Sequence, residues 1–413
     1  MQKRPFMRPL LIWIAGIVLQ TSGSFRILSF GLLVVPAILL FMPVHLSGNR
    51  KPEPEYNARW VWGFVFSCLF LFLSIQLTAY HESRFISPSP HPLLEWAKHN
   101  QERLTASFDS LKLTETECSV LSAITLGDRS AMSGDVRQQF AVTGVAHILS
   151  VSGFHVAIVC GFLTRILSFL SGSSAGRWIR YLLSLVLLWT FTLISGLATA
   201  SVRAAIMLTL YLSGKQLNRI TDGYNTLAAS AFCMLVYDPF YLFDIGFQLS
   251  YTAVGFILYM QPRLSRLLPI RNPLLKTPWS WVTLTLAAQT GVTFLCLYYF
   301  GQFSVVFLFT NLPLTLIATL LIPLSLLWIL LPAGFPGWDS LASGIEALTH
   351  AMMWIVDAFS HIPGSAFSFR FDFVSLCISY GALYFLFLYN GKRHPRLLLI
   401  SLFLLLLLII VHT

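Results

Sequence analysis

The sequence predicts an all-α polytopic membrane protein, and two observations carry that prediction. Of its 413 residues 56% are hydrophobic and only 11% are charged. Apolar runs close to the ~20 residues that cross ~30 Å of hydrocarbon as a helix recur along nearly the whole chain. The short alternating segments of a transmembrane barrel are not seen. About thirteen membrane helices are expected, some short or broken, together with a small extracytoplasmic helical segment. They fall near 6–20, 26–45, 60–80, 142–170, 181–197, 200–213, 224–237, 245–260, 279–300, 303–331, 343–362, 372–390 and 397–412. The first run follows a basic start without a small-residue cleavage site and reads as an uncleaved anchor. Breaks are expected at Pro36, at Asn311-Leu312-Pro313 and at Pro323.

Charge fixes the expected orientation. With Lys3, Arg4 and Arg8 inside, alternation places Arg50, Lys51 and Arg59 inside. Arg165, Arg177, Arg180, Lys215 and Arg219 follow, then Arg263, Arg266, Arg271 and Lys276, and last Lys392, Arg393 and Arg396. Every basic cluster falls on the cytoplasmic side, with the N-terminus, as the positive-inside rule requires. The net charge of +10 is therefore a topology signal before it is a sign of nucleic acid. The expected organisation is a three-span region at 1–80, an extracytoplasmic segment at 81–141 and a transmembrane core at 142–413.

In the extracytoplasmic segment "SPSPHP" (87–92) reads as a linker. Leu93, Leu94, Ala97, Leu104, Phe108 and Leu111 then recur at helical spacing among Trp96, Lys98 and Arg103. That pattern predicts a helix lying on the membrane or against the bundle. Thr114 to Glu117 matches a capping box, opening an apolar helix through Leu126. The six scattered cysteines form neither a CxxC nor a Cys/His cluster, so no disulfide framework, structural metal or other cofactor is indicated.

Polar residues inside the apolar runs are the candidate functional groups. "HILSVSGFHVAI" (147–158) holds His147, Ser150, Ser152, Gly153 and His155. Ser and His at three-residue spacing share a helix face, but neither an orienting carboxylate nor GxSxG accompanies them. On a continuous helix the histidines stand ~12 Å apart, too far to share a metal ion. Packing offers a simpler use: serines bond back to helix carbonyls, neutral histidines bridge helices, and Gly153 admits a close neighbour. Similar groups recur, however. "ISGLATASVRAAIM" (194–207) sets Ser195 and Gly196 near Arg203, whose charge costs ~2.5–3.5 kcal/mol at a membrane centre and so should face protein or water. Asp244 and Gln248 follow in "DPFYLFDIGFQLSY" (238–251), then Gln289 and Asn311. Together they predict a polar seam through the bundle.

The blocks "LGDRSAMSGDVRQQFAVTGVAHILSVSGFHVAI", "ISGLATASVRAAIM", "DPFYLFDIGFQLSYTAVGFI" and "AAQTGVTFLCLYYFGQFSVVFLFTNLPL" occur in this order. In order and spacing they resemble the ComEC-type competence proteins, the inner-membrane DNA channels of natural transformation, across about residues 115–390. The resemblance implies a conduit for single-stranded DNA in the bacterial cytoplasmic membrane. It casts Asp128, Arg129, His147, Ser150, Ser152, Gly153, His155, Ser195, Gly196, Arg203, Asp244 and Gln248 as channel-lining or channel-shaping. Gln289 and Asn311 join them from the seam. Many members also carry an OB-type domain and a metallo-β-lactamase-like domain. Residues 81–114 are too few for the first, and the closing "LLLIIVHT" carries no HxHxDH ligands for the second. The expectation is a membrane core that cuts no DNA, working in lipid with an extracytoplasmic DNA receptor and a separate nuclease.

A sequence-blind conduit for one strand needs donor groups for phosphates and surfaces for bases, held weakly enough to release them. Arg129, Arg137, Lys98 and Arg103 are placed to gather a strand outside. GxxxxGK[ST] is absent, so import needs a cytoplasmic ATP-driven motor. Two other classes fit the same seam: an intramembrane enzyme or transporter of a lipid-linked substrate, and a scaffold for an uptake complex.

Overall fold

The structure, a computed structural model, describes residues 4–23, 25–33, 56–84, 92–219, 221–332 and 334–412. Lys3, the expected span beyond residue 33 with Pro36, the pair Arg50 and Lys51, and the linker at 87–91 lie outside the described residues.

The fold is all-α. In chain order the helices begin with α1 (Met7–Ser22), α2 (Tyr56–Arg84), α3 (Pro92–Thr105), α4 (Glu115–Leu126), α5 (Gly134–Val142), α6 (Gly153–Ile166) and α7 (Ser174–Ile194). They continue with α8 (Thr199–Gln216), α9 (Gly223–Tyr237), α10 (Ile245–Leu264) and α11 (Pro273–Phe300). The series ends with α12 (Phe307–Leu330), α13 (Trp338–Ser360), α14 (Phe373–Lys392) and α15 (Pro395–His412). Among the described residues six segments are long and apolar enough to cross a membrane: 61–83, 153–172, 174–194, 274–300, 307–330 and 373–391. The protein is thus a multi-pass membrane protein, though by that measure six spans stand against the thirteen expected. Helices such as α8 and α13 miss the measure because Arg203 and Lys215, or Asp339, Glu346 and Asp357, interrupt their apolar runs.

Two expectations about breaks are corrected. α12 runs unbroken through Pro313 and Pro323. Each proline removes one backbone donor at a cost of ~3 kcal/mol. Close packing of Leu314, Ile317, Ala318, Leu321 and Ile322 in the core holds the helix together across both. Conversely, the span expected at 142–170 is not one helix. It breaks between Val142 and Gly153, and only its second part is long and apolar enough to cross.

Several element ends are tied together by side chains. Arg4 pairs with Asp222 at 2.6 Å, so the basic start and the α8–α9 loop share one face. At the opposite end of α1, Gln20 donates to Glu82 at 3.2 Å. The loops after α11 and α13 join as a two-stranded antiparallel sheet, β1 (Gln302–Ser304) with β2 (Ala366–Ser368). Strands three residues long leave no period for a sequence to reveal.

The amphipathic helix forms at α3, where Ala97 is fully buried while Lys98 and Arg103 are exposed. Phe108 and Leu111, just beyond it, enter the main core. The capping box forms as well. Thr114 Oγ1 accepts from Glu117 N at 3.3 Å, and Glu117 Oε2 accepts from Thr114 N at 3.0 Å. α4 does not sit apart from the spans: Val120 to Leu126 share one core with α6, α12 and α13. Glu117 also pairs with His350 of α13, a contact between residues 233 positions apart. Burial pushes the Glu117 carboxyl up. The Thr114 N–H and hydroxyl and His350 outweigh it, so its pKa lies below 4.5.

Two testable outcomes follow from this packing. A folded-state carboxyl held below its unfolded value contributes stability above about pH 4.5, lost as pH falls through the folded value. The melting-temperature gap between the wild type and Glu117→Gln in detergent is therefore expected at pH 7 and should close under acid. At Gly144, where φ is +78°, an added Cβ would lie 2.8 Å from the Cβ atoms of Phe307 and Ser304. Gly144→Ala should cost about 1–3 kcal/mol in unfolding experiments. Gly153→Ala, whose new Cβ would meet Ala204 at 3.6 Å, should cost little.

Candidate functional site

Local sequence dictates how the quoted motif breaks. α5 stops at Val142, Gly144 turns the chain through a left-handed conformation, and Ala146–Leu149 forms one 3₁₀ turn. Ser150 and Ser152 are extended, and Ser152 begins α6 as its N-cap. The ~12 Å spacing that a continuous helix would impose on His147 and His155 therefore does not apply. His155 is fully buried and takes the capping-box position usually held by Glu or Gln. Its Nδ1 accepts from Ser152 N at 3.2 Å and lies 2.8 Å from Ser152 Oγ. A backbone N–H can only donate, so the neutral ring carries its proton on Nε2. Nε2 makes no hydrogen bond of good geometry among the described residues. Ser150 Oγ turns back to the His147 carbonyl at 3.5 Å. His147 is exposed on the 3₁₀ turn.

The break before α6 meets two others. α4 ends at Gly127, φ +84°, and α7 ends at Ser195 with Gly196 at φ +72°. A Cβ on Gly127 would lie 3.1 Å from Val151 Cγ2 and 3.5 Å from the Ser195 carbonyl oxygen. Gln101 of α3 fits between them. Its Nε2 donates to the Leu126 carbonyl at 2.7 Å, and its Oε1 lies where a Cβ on Gly196 would come within 2.5 Å. Ser195 Oγ donates to the Thr192 carbonyl at 3.0 Å and reaches Ser201 Oγ at 3.4 Å. Ser201 Oγ in turn reaches the Val151 carbonyl at 3.4 Å. Blocks far apart in sequence thus interrupt their helices at one place.

Two residues along α8 from Ser201, Arg203 is 3% exposed. Its Nη1 lies 3.7 Å from Asp244 Oδ1, an ion pair beyond hydrogen-bond reach. Asp244 Oδ1 accepts from Phe247 N at 2.7 Å as the N-cap of α10. Gln248 holds the same corner, with Nε2 donating to the Leu242 carbonyl at 3.0 Å and Oε1 accepting from Tyr299 at 2.7 Å.

The remaining predicted residues lie elsewhere. Asp128 is half-buried in the loop after α4, where Oδ1 accepts from Ser130 N at 2.9 Å. Arg129 beside it is exposed, and its carbonyl accepts from Arg137 Nη2 at 2.9 Å. Asn311 links helices: Nδ2 donates to Thr285 of α11 at 3.0 Å, and Oδ1 accepts from Thr315 at 3.4 Å. Gln289 lies half-buried on α11. Gly153 does make the α6–α8 contact expected of it, but at an ordinary van der Waals distance.

Gln101, Thr310 and Tyr299 belong to the cluster without having been singled out. Gln101 had a readable signal: it lies between Ala97 and Leu104 on the apolar face of its helix, where a polar side chain needs a buried partner. Thr310 had none, because its Oγ1 bond to the Thr143 carbonyl at 2.7 Å joins residues 167 apart.

These elements define a multi-pass helical membrane protein whose helices break inward around hydroxyls, imidazoles and one buried arginine. The Competence protein family pattern matches residues 124–393, about two thirds of the chain, and the chain belongs to that family. It is also 31% identical over 201 residues to ComE operon protein 3 of Bacillus subtilis (strain 168). That stretch covers 48% of this chain and 24% of the relative, so the match spans about a quarter of the relative's length. No solved structure matches the chain.

Replacing Gln101 by Leu leaves the Leu126 carbonyl without its donor and crowds Gly196. A loss of about 1–3 kcal/mol is expected. Hydrogen exchange should speed up at residues 195–198 and 126–128, and unchanged protection there would refute the clamp.

Proposed function

We propose that this chain forms the conduit by which single-stranded DNA crosses the bacterial cytoplasmic membrane during natural transformation. The observation that supports it best is the meeting of three helix breaks beside the exposed His147. Irregular backbone inside a membrane bundle is tolerated where it is buried in protein or lines an aqueous cavity. Membership of the Competence protein family supports a role in DNA uptake. About thirteen crossings with the N-terminus in the cytoplasm is the topology we propose, and the conduit performs no chemistry on the strand. His, Ser and Gln groups contact phosphates weakly, and Arg203 supplies one strong charge. A cytoplasmic motor pulls, an extracytoplasmic receptor delivers, and a separate nuclease removes the other strand.

Labelled single-stranded DNA reaching the cytoplasm tests the reading, in a competent host that lacks its own copy of the gene and expresses this chain. Import is expected, with Ser152→Ala and Ser195→Ala each reducing it by under about tenfold, the scale of one lost hydrogen bond. Complete loss from His147→Ala, Ser150→Ala or His155→Ala alone, at matched membrane levels, would favour an intramembrane enzyme. The Ser152–His155 contact is that reading's best feature, but it lacks an acid to orient the ring.

A further inference from the structure

The guanidinium of Arg203 is incompletely satisfied. Nε and Nη1 are inaccessible to solvent and hydrogen-bond to no atom of the described residues. The one carboxylate beside it, Asp244, stands 3.7 Å away and is committed through Oδ1 to capping α10. It offers charge without accepting a hydrogen bond from the guanidinium. Desolvating a cation is costly unless both charge and acceptors are supplied. The side of the guanidinium facing Gly246 carries no side chain, and a Cβ there would come within 3.2 Å of Nη2. Asp244 is 42% exposed, so the pair reaches from a buried cation to an open edge. Tyr241 and Tyr251 lie within electrostatic range of the cation.

We propose that Arg203 is a phosphodiester-binding site and that Asp244 is its resident counter-charge. The proposal rests on the conduit reading above and deepens it by naming the group of the strand that is held. A guanidinium offers planar, paired donors that suit two phosphate oxygens, and Nε and Nη1, one on each of its two forked edges, are unpaired. A phosphate there supplies the acceptors that Asp244 does not. Because its cap bond holds Asp244 in place, its negative charge opposes the bound phosphate and shortens its stay. A conduit needs that balance, admitting each phosphate and releasing it to the next.

The test uses the full chain in lipid nanodiscs and a fluorescein-labelled oligothymidylate, beside the same oligomer with an uncharged methylphosphonate backbone. The wild type is expected to bind the first and not the second. Arg203→Gln should weaken binding by at least about tenfold, equivalent to ~1.4 kcal/mol. Asp244→Asn should tighten it several-fold, since Asn also caps helices and removes only the charge. The Asn variant keeps the test informative if Arg203→Gln does not fold. Equal affinity of the wild type and both variants would overturn the site and leave the conduit reading standing. Equal binding of the methylphosphonate oligomer would likewise overturn the site, pointing to base contacts. A wild type that binds neither oligomer would overturn the conduit reading and the site together.

Discussion

The arrangement depends on a single constraint: a helix that stops inside a membrane bundle frees carbonyl oxygens that no water is there to satisfy. Here side chains from other elements take them. Gln101 reaches the Leu126 carbonyl where α4 ends, Thr310 reaches that of Thr143 after α5, and Ser201 that of Val151 before α6. Gln248 does the same for Leu242 before α10. Each of these side chains is at once a hydrogen-bond donor and a statement about which elements must be neighbours. Because carbonyls so satisfied do not require further partners, the hydroxyls and imidazoles left over are free to face the interior.

In the proposed conduit that division fits the sparing use of charge. One arginine lies fully within the cluster, and a fixed aspartate tempers it. The other polar groups are neutral or hydroxylic. A lining of many cations would hold a polyanion at its lowest-energy position, whereas hydroxyls and amides present donors with little depth to the well.

Much of the fold was legible because membrane helices announce themselves by length and apolarity. From α7 onward each expected span overlaps an observed helix, with one end moved by four to seven residues at α7, α10, α11, α12 and α13 and both ends within three elsewhere. Thr114 and Glu117 declared their cap through spacing alone. What escaped was geometry that arises between distant segments. Nothing local to "HILSVSGFHVAI" distinguishes a helix interior from a turn followed by a helix start, because Ser152 and His155 suit either. Pro313 and Pro323 misled in the opposite direction, since tertiary packing overrides a propensity that is real in isolation. The cluster was legible as a set of residue types, and the family resemblance ordered them. Which of them touch required the fold, as the separation of Asn311 from Arg203 makes plain.

The clasp of Arg4 on Asp222 has a bearing on how the protein is made. The two residues are 218 positions apart, and Arg4 also lies over the Tyr224 ring. Ribosomes add about 5–20 residues per second, so the first helix spends about 10–45 s in the bilayer before its partner has even been synthesised. During that interval α2 is the neighbour already made, and the Ser74 hydroxyl bonded to the Trp13 carbonyl at 2.7 Å supplies a polar tie to it. The two parallel N-terminal helices are thus packed together early, and the Arg4–Asp222 clasp closes only once more than half of the chain has been made.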